Sequence, residues 1–137
     1  MLFRSALGLK PGPVLPGDLR FEGGRTAGLA IAKMSPLPSA VMAVNDLTAV
    51  GVIKGLTSAG FRIPEDISVT GFDKTRLAEY SNPSLTTVDI HRDLLGCMAA
   101  DALDELSGSA NPHGKEYRID AELVVGASTG PVPRTEL

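Results

Sequence analysis

SAVMAVNDLTAVGVIKGLTSAGFRIPEDISVTGFDKTRLAEYSNPSLTTVDI, residues 39–90, reads as strand, helix and strand, with a polar or acidic residue just past each strand. Ala40–Val44 is an unbroken apolar run, the pattern of a parallel strand covered on both faces. Asn45 and Asp46 follow it, and either residue type can cap a helix N-terminus. Leu47, Val50, Ile53 and Leu56 then recur at spacings of three, which predicts a helix with one buried stripe. Gly60 is placed to end that helix in a left-handed turn, and Pro64-Glu65-Asp66 turns the chain into a second strand, Ile67–Gly71. The Val44-to-Ile67 connection is long enough for a right-handed crossover between parallel strands. In such a sheet, ligands lie in the crevice outside the carboxyl ends of the strands. Asn45 and Asp73, one past each strand, are therefore expected to line one pocket.

Outward from this unit, Glu22–Met34 is expected to be a helix, with Ala27, Ala30, Ile31 and Met34 on one stripe. Gly23 and Gly24 weaken its first turn, and Pro36 and Pro38 end it. Residues 1–10 read as the tail of a helix stopped by Pro11-Gly12-Pro13, and Val14-Leu15 as a short apolar pair before a turn. Residues 74–84 read as a polar loop and Leu85–Ile90 as a strand. A helix is expected over about Asp89–Leu106, with Leu95, Met98, Ala99, Ala102 and Leu106 on one side and Gly108 at its end. Residues 109–114 form a turn, Tyr117–Val125 a terminal strand, and Gly130–Leu137 a loose tail.

The 137 residues suit one domain, and 43% hydrophobic with 21% charged residues is a globular balance. A net charge of −3 with scattered Lys and Arg gives no basic face for a phosphate backbone. The single cysteine, Cys97, excludes an intrachain disulfide and suits a reducing, cytoplasmic setting. No apolar run approaches a membrane span, and the N-terminus does not read as a signal peptide.

Enzyme signatures are missing from the pattern. Cys97 falls mid-helix, where a small core role is expected. His113 lies in a turn, and His91 lacks an obvious acidic or nucleophilic neighbour. No HExxH or CxxC spacing occurs, so neither a metal nor another cofactor is implied, and Asp46 with Asp73 lacks a third ligand for a cation. Gly23-Gly24 before a helix is only a weak hint of a phosphate cradle.

The ordered set AVMAVNDLTAVGVIKGLTSAGFRIPEDISVTGFD (residues 40–73), YSNPSLTTV (residues 80–88), a following helix with an early Gly96, and GDLRFEGG (residues 17–24) resembles the LacI/GalR family of bacterial transcription regulators. The resemblance covers nearly the whole chain. It implies an α/β class: a parallel-sheet Rossmann-like lobe of a periplasmic-binding-protein-like (type I) fold, truncated. Residues 1–137 would be the C-terminal part of the effector-binding core, with 85–108 an excursion that packs on an N-terminal lobe outside the chain. Nothing in the sequence resembles a DNA-reading helix, so DNA would be bound only through a helix-turn-helix domain absent here.

The resemblance also implies a site. Asn45 matches an effector-contacting polar residue and Asp73 an acidic one, and their chemistry suits hydroxyl-rich ligands such as sugars or nucleosides. Asp46 is a further ligand candidate, although a helix cap is the expectation for Asp46 and ligand contact the expectation for Asn45. Leu19 stands where relatives often carry an aromatic ring, and Phe21 is either a substitute for it or a core residue. An arginine that relatives place upstream of residue 1 lies outside the chain, so weak or no effector binding is expected of these residues alone. Val50 and Tyr80 match dimer contacts. Gly126 replaces an arginine that commonly closes the last strand. The expected role is effector sensing and homodimerisation in a non-enzymatic regulator. A sugar-binding protein of a transport system shares the architecture and is the alternative. A Rossmann-type enzyme would need a glycine-rich phosphate loop and a base, and neither is visible. With its own lobe partner missing, the Leu95/Met98/Leu106 face is expected to be covered in an oligomer.

Overall fold

A computed structural model describes residues 8, 12–108 and 116–132. The elements run α1 (Phe21–Ile31), β1 (Ala40–Met42), α2 (Asp46–Ser58), β2 (Ser68–Thr70), α3 (Arg76–Tyr80), β3 (Thr87–Asp89), α4 (Arg92–Ser107) and β4 (Glu122–Val124). β1 and β2 pair in parallel, Val41 opposite Val69, and β3 and β4 pair antiparallel, Val88 opposite Leu123. A single parallel bridge between Thr70 and Thr86 joins the two ladders. The α/β character and the parallel pair expected around residues 39–71 are therefore present. The helix expected within residues 1–10 and the turn at 109–114 lie outside the described residues, apart from Gly8.

The core is Ile31 from α1, Ala49, Val52, Ile53 and Leu56 from α2, Val69 from β2, and Ile63, Ile67, Ala78 and Leu85 around them. α2 is buried more broadly than one stripe, because it meets the sheet on one side and α1 on the other. Leu47, expected in the stripe, is 41% exposed, while Ala49 and Val52 are buried. The α1–α2 contact is made by glycines. A Cβ on Gly24 would overlap the Thr48 carbonyl oxygen, and one on Gly28 the carbonyl of Val52. A Cβ on Gly51 would overlap the Phe21 carbonyl, and one on Gly55 the carbonyl of Arg25. The expectation that Gly23 and Gly24 merely weaken a helix start, or cradle a phosphate, is corrected: both are inside α1, and Gly24 seats it against α2.

Other boundaries also shift. α1 ends at Ile31 rather than Met34, and Ala30, placed on its stripe, is exposed. α2 ends as expected, with Gly60 at φ +93° and the Phe61 N–H donating to Leu56. The polar segment 74–84 contains the short helix α3, whose Ala78 is buried in the core. The strands are shorter than the apolar runs that announced them. β1 is not covered on both faces: Met42 is 89% exposed, and Val44 is exposed as well. α4 starts at Arg92, three residues later than expected, and buries none of its residues. Cys97 is exposed on it, contrary to the core role expected. Gly130 is not loose, since its N–H donates to Ser68 Oγ.

The glycine seam yields a paired prediction. Gly28→Ala forces a methyl into a backbone carbonyl and should destabilise the chain by about 2 kcal/mol or more. Gly96→Ala, on α4 with nothing within 4 Å of the new methyl, should stabilise by about 0.5–1 kcal/mol through helix propensity. Urea denaturation of the two variants beside the parent checks both signs.

Candidate functional site at the strand ends

Three chain segments leave the carboxyl ends of β1, β2 and β3 side by side. The Ala43 N–H donates to Thr70, the Asp46 N–H to Phe72 and the Asp73 N–H to Val88, at 2.9–3.0 Å. Residues 43–46, 70–75 and 86–89 thus form one edge. The turn before α1 joins it through Asn45, whose Nδ2 donates to the Leu19 carbonyl at 3.1 Å. Asn45 is also the N-cap of α2, its Oδ1 accepting from the Thr48 N–H at 2.8 Å. The cap expected of Asp46 therefore belongs to Asn45. Two of the amide's hydrogen-bonding positions serve the fold, leaving one N–H and one lone pair for a ligand.

Asp46 does something else. It is fully buried, with Oδ2 accepting from the Thr75 N–H (2.6 Å) and Thr75 Oγ1 (3.0 Å) and Oδ1 from Thr87 Oγ1. Its expected role as an effector contact is corrected, because no face of the carboxylate reaches the crevice.

Asp73 stands in the crevice at φ +104°, followed by Lys74 at +50°. Leu19 (+63°) and His91 (+49°) are the other non-glycine residues with positive φ among those described. All four flank the same edge, in a backbone region that side chains with a Cβ rarely adopt. Burial, followed by the nearby Asp46 carboxylate, holds the Asp73 carboxyl above its ordinary value, and Arg92 pulls it the other way. Beside it, Lys74 Nζ pairs with Asp89 at 2.7 Å, and this hydrogen bond holds Asp89 below its usual range. The Asp89 carboxylate also accepts from the His91 N–H and lies 3.7 Å from His91 Nδ1, so His91 does have an acidic neighbour. An open cavity of about 420 Å³ continues from here, lined by Lys74, Asp89, His91, Arg92, Asp93 and Leu94.

This edge is where open α/β sheets carry their ligands. Residues 3–129 match the family model for the periplasmic binding protein-like domain. The chain belongs to that family. Its relatives are LacI-type regulators. It is 34% identical to the HTH-type transcriptional repressor PurR of Edwardsiella ictaluri (strain 93-146) over 120 residues, 88% of this chain and 35% of that protein. It is 38% identical to the ribose operon repressor of Escherichia coli (strain K12) over 100 residues, 73% of this chain and 30% of that one. Among solved structures, a LacI family transcriptional regulator from Enterococcus faecium with bound ribose superposes with a TM-score of 0.78 at 31% identity, covering 85% of this chain and 43% of that one. The chain thus spans about a third of the length of the curated relatives it matches.

In this periplasmic-binding-protein-like lobe the remaining expected residues fall as follows. Leu19, 57% exposed, stands at the crevice rim, with Phe21 half-buried in the first turn of α1. Val50 is half-buried on α2, and Tyr80 is 75% exposed at the end of α3, away from the strand-end residues in sequence and element. Gly126 is packed so closely that a Cβ would lie 2.6 Å from the Leu85 and Ser84 carbonyl oxygens. The sequence reading missed Phe72, 38% exposed beside Asp73, and Arg92. An aromatic at a strand exit was a usable signal for Phe72. Arg92 had none until β3 was placed beside β2.

The raised Asp73 carboxyl has a definite sign. Its stability contribution is greatest below the unfolded carboxylate value and is lost as pH rises through the folded one. Asn, neutral and tolerant of positive φ, should therefore raise the melting temperature at pH 7 by about 2 °C or more, with the gap closing near about pH 3. Thermal melts of Asp73→Asn and parent across that range check it.

Proposed function

We propose that the chain is the effector-sensing and dimerisation part of a LacI/GalR-type transcription regulator, with Asn45, Asp73, Leu19 and Phe21 facing the effector. The observation that carries the reading is the convergence of Leu19, Asn45 and Asp73 on one strand-end edge, with Asp73 in an unfavourable backbone and charge setting. A carboxylate there accepts from two vicinal hydroxyls, and the free Asn45 N–H donates to a third oxygen. This array fits a pentose or nucleoside-like effector. The ribose in the Enterococcus faecium regulator and the name of the Escherichia coli repressor support that class.

The named relatives are repressors, which favours regulation over transport or catalysis. Operator binding belongs to sequence outside these 137 residues, and effector would act by favouring one closure of two lobes over another. Residues 85–108 are the excursion that meets the other lobe. No helix among the described residues is long and apolar enough to cross a membrane. Tyr80 and Val50 form the dimer contact, where an exposed tyrosine suits an interface.

Two experiments test this. D-Ribose titrated into the isotope-labelled chain should shift the amides of Leu19, Asn45 and Asp73 with a Kd on the order of 1 mM, weak because one lobe is lacking. Asp73→Ala should abolish the shifts. Saturating ribose without effect on these amides would remove the pentose reading. In sedimentation equilibrium the parent should be at least a dimer and Tyr80→Asp should dissociate by about tenfold or more. An unchanged constant would remove Tyr80 from the interface.

A further inference from the structure

We infer that Asp46, which touches no effector, is the positioning residue that holds Asp73 in its ligand-facing conformation and ties it to β3. The inference rests on the effector reading of Asp73 for its functional meaning, though not for its geometry.

Segment 72–75 is fixed at every residue, and Asp46 or its partner Thr87 makes three of the four attachments. The Phe72 carbonyl accepts from the Asp46 N–H, and the Asp73 N–H donates to Val88. The Lys74 N–H donates to Thr87 Oγ1 at 3.3 Å, and that hydroxyl donates to Asp46 Oδ1. The Thr75 N–H and hydroxyl both donate to Asp46 Oδ2. Two successive residues inside this frame, Asp73 and Lys74, hold positive φ. Such a pair relaxes to ordinary backbone unless its surroundings over-determine it. The carboxylate supplies the restraint. It stands at the start of α2, accepts three charge-assisted hydrogen bonds, and is fully buried, where such bonds are strong.

Room for it is built in at β2. A Cβ on Gly71 would overlap Asp46 Oδ1 and press on Leu85 Cδ2, so a bare backbone there admits the carboxylate. The same charge also helps raise the Asp73 carboxyl. One buried group thus sets both the aim and the proton affinity of the residue in the crevice, and links it through Thr87 to the strand that leads into α4.

The test is amide hydrogen exchange on the whole chain, residue by residue. In Asp46→Ala the amides of Asp73, Lys74 and Thr75 should exchange at least about 30-fold faster, over and above the factor common to the α2 core amides. Asp46→Asn, which keeps the shape and an acceptor, should restore most of that protection while lowering the Asp73 carboxyl titration followed by carbon NMR. Should Asp46→Ala not fold, Thr87→Val removes one donor to the carboxylate and the acceptor of the Lys74 N–H. It should loosen Lys74 and Thr75 selectively. Acceleration of 73–75 no greater than that of α2, or an Asp73 titration unmoved in Asp46→Asn, overturns the inference. Its failure is separable from that of the pentose reading: silence toward D-ribose in the parent chain removes the latter and leaves the exchange pattern to decide the former.

Discussion

The contact between α1 and α2, with four glycines in place of side chains, is the constraint on which the rest depends. Gly24 and Gly28 on one helix and Gly51 and Gly55 on the other let backbone meet backbone. Packing of this kind has no slack, because a single methyl at any of the four positions would overlap a carbonyl. Its consequence reaches the site. With α1 drawn onto α2, the turn that precedes α1 comes to the first turn of α2, and the Leu19 carbonyl falls within reach of the Asn45 amide. Core packing and the assembly of the crevice are therefore one event.

At the opposite side of that crevice the backbone is held against its own preference. Four residues with positive φ surround it, and the acidic one among them stands near a second, buried carboxylate. Local consistency is what makes a sequence foldable, and natural proteins break it where function asks them to. Among the described residues the breach is confined to the strand-end edge. Below it, buried Ser128 stitches two segments together, donating to the Val69 carbonyl and accepting from the Thr86 N–H.

Much of this was legible beforehand, for definable reasons. The parallel pair at 40–42 and 68–70 showed itself as two apolar runs separated by a helical stripe, and Gly60 marked the end of α2 by the one backbone shape it permits. The juxtaposition of the residues after β1 and after β2 follows from parallel pairing alone. Three things were hidden. The glycine seam depends on how two helices cross, and periodicity counts Gly as a flaw in a helix rather than as a surface. Asn45 and Asp46 are equivalent caps by residue type, so only the direction each leaves the strand decides that one caps and the other is swallowed. The exposure of β1 and α4 is set by what packs against them, which apolar patterning does not report. The family resemblance named the site but gave no sign of Arg92 or of the Asp89–His91 contact.

The structure thus joins a glycine-seated pair of helices, a strained rim, and a helix, α4, that buries none of its residues. The most direct measurement of its central constraint is a NOESY spectrum of the labelled chain. Close glycine-to-glycine packing predicts strong cross-peaks between the α protons of Gly28 and Gly55 and between Gly24 and Thr48, together with contacts from the Asn45 side-chain amide to the Leu19–Arg20 turn. Their absence, with α1 and α2 intact but separated by ordinary side-chain spacing, would contradict the account.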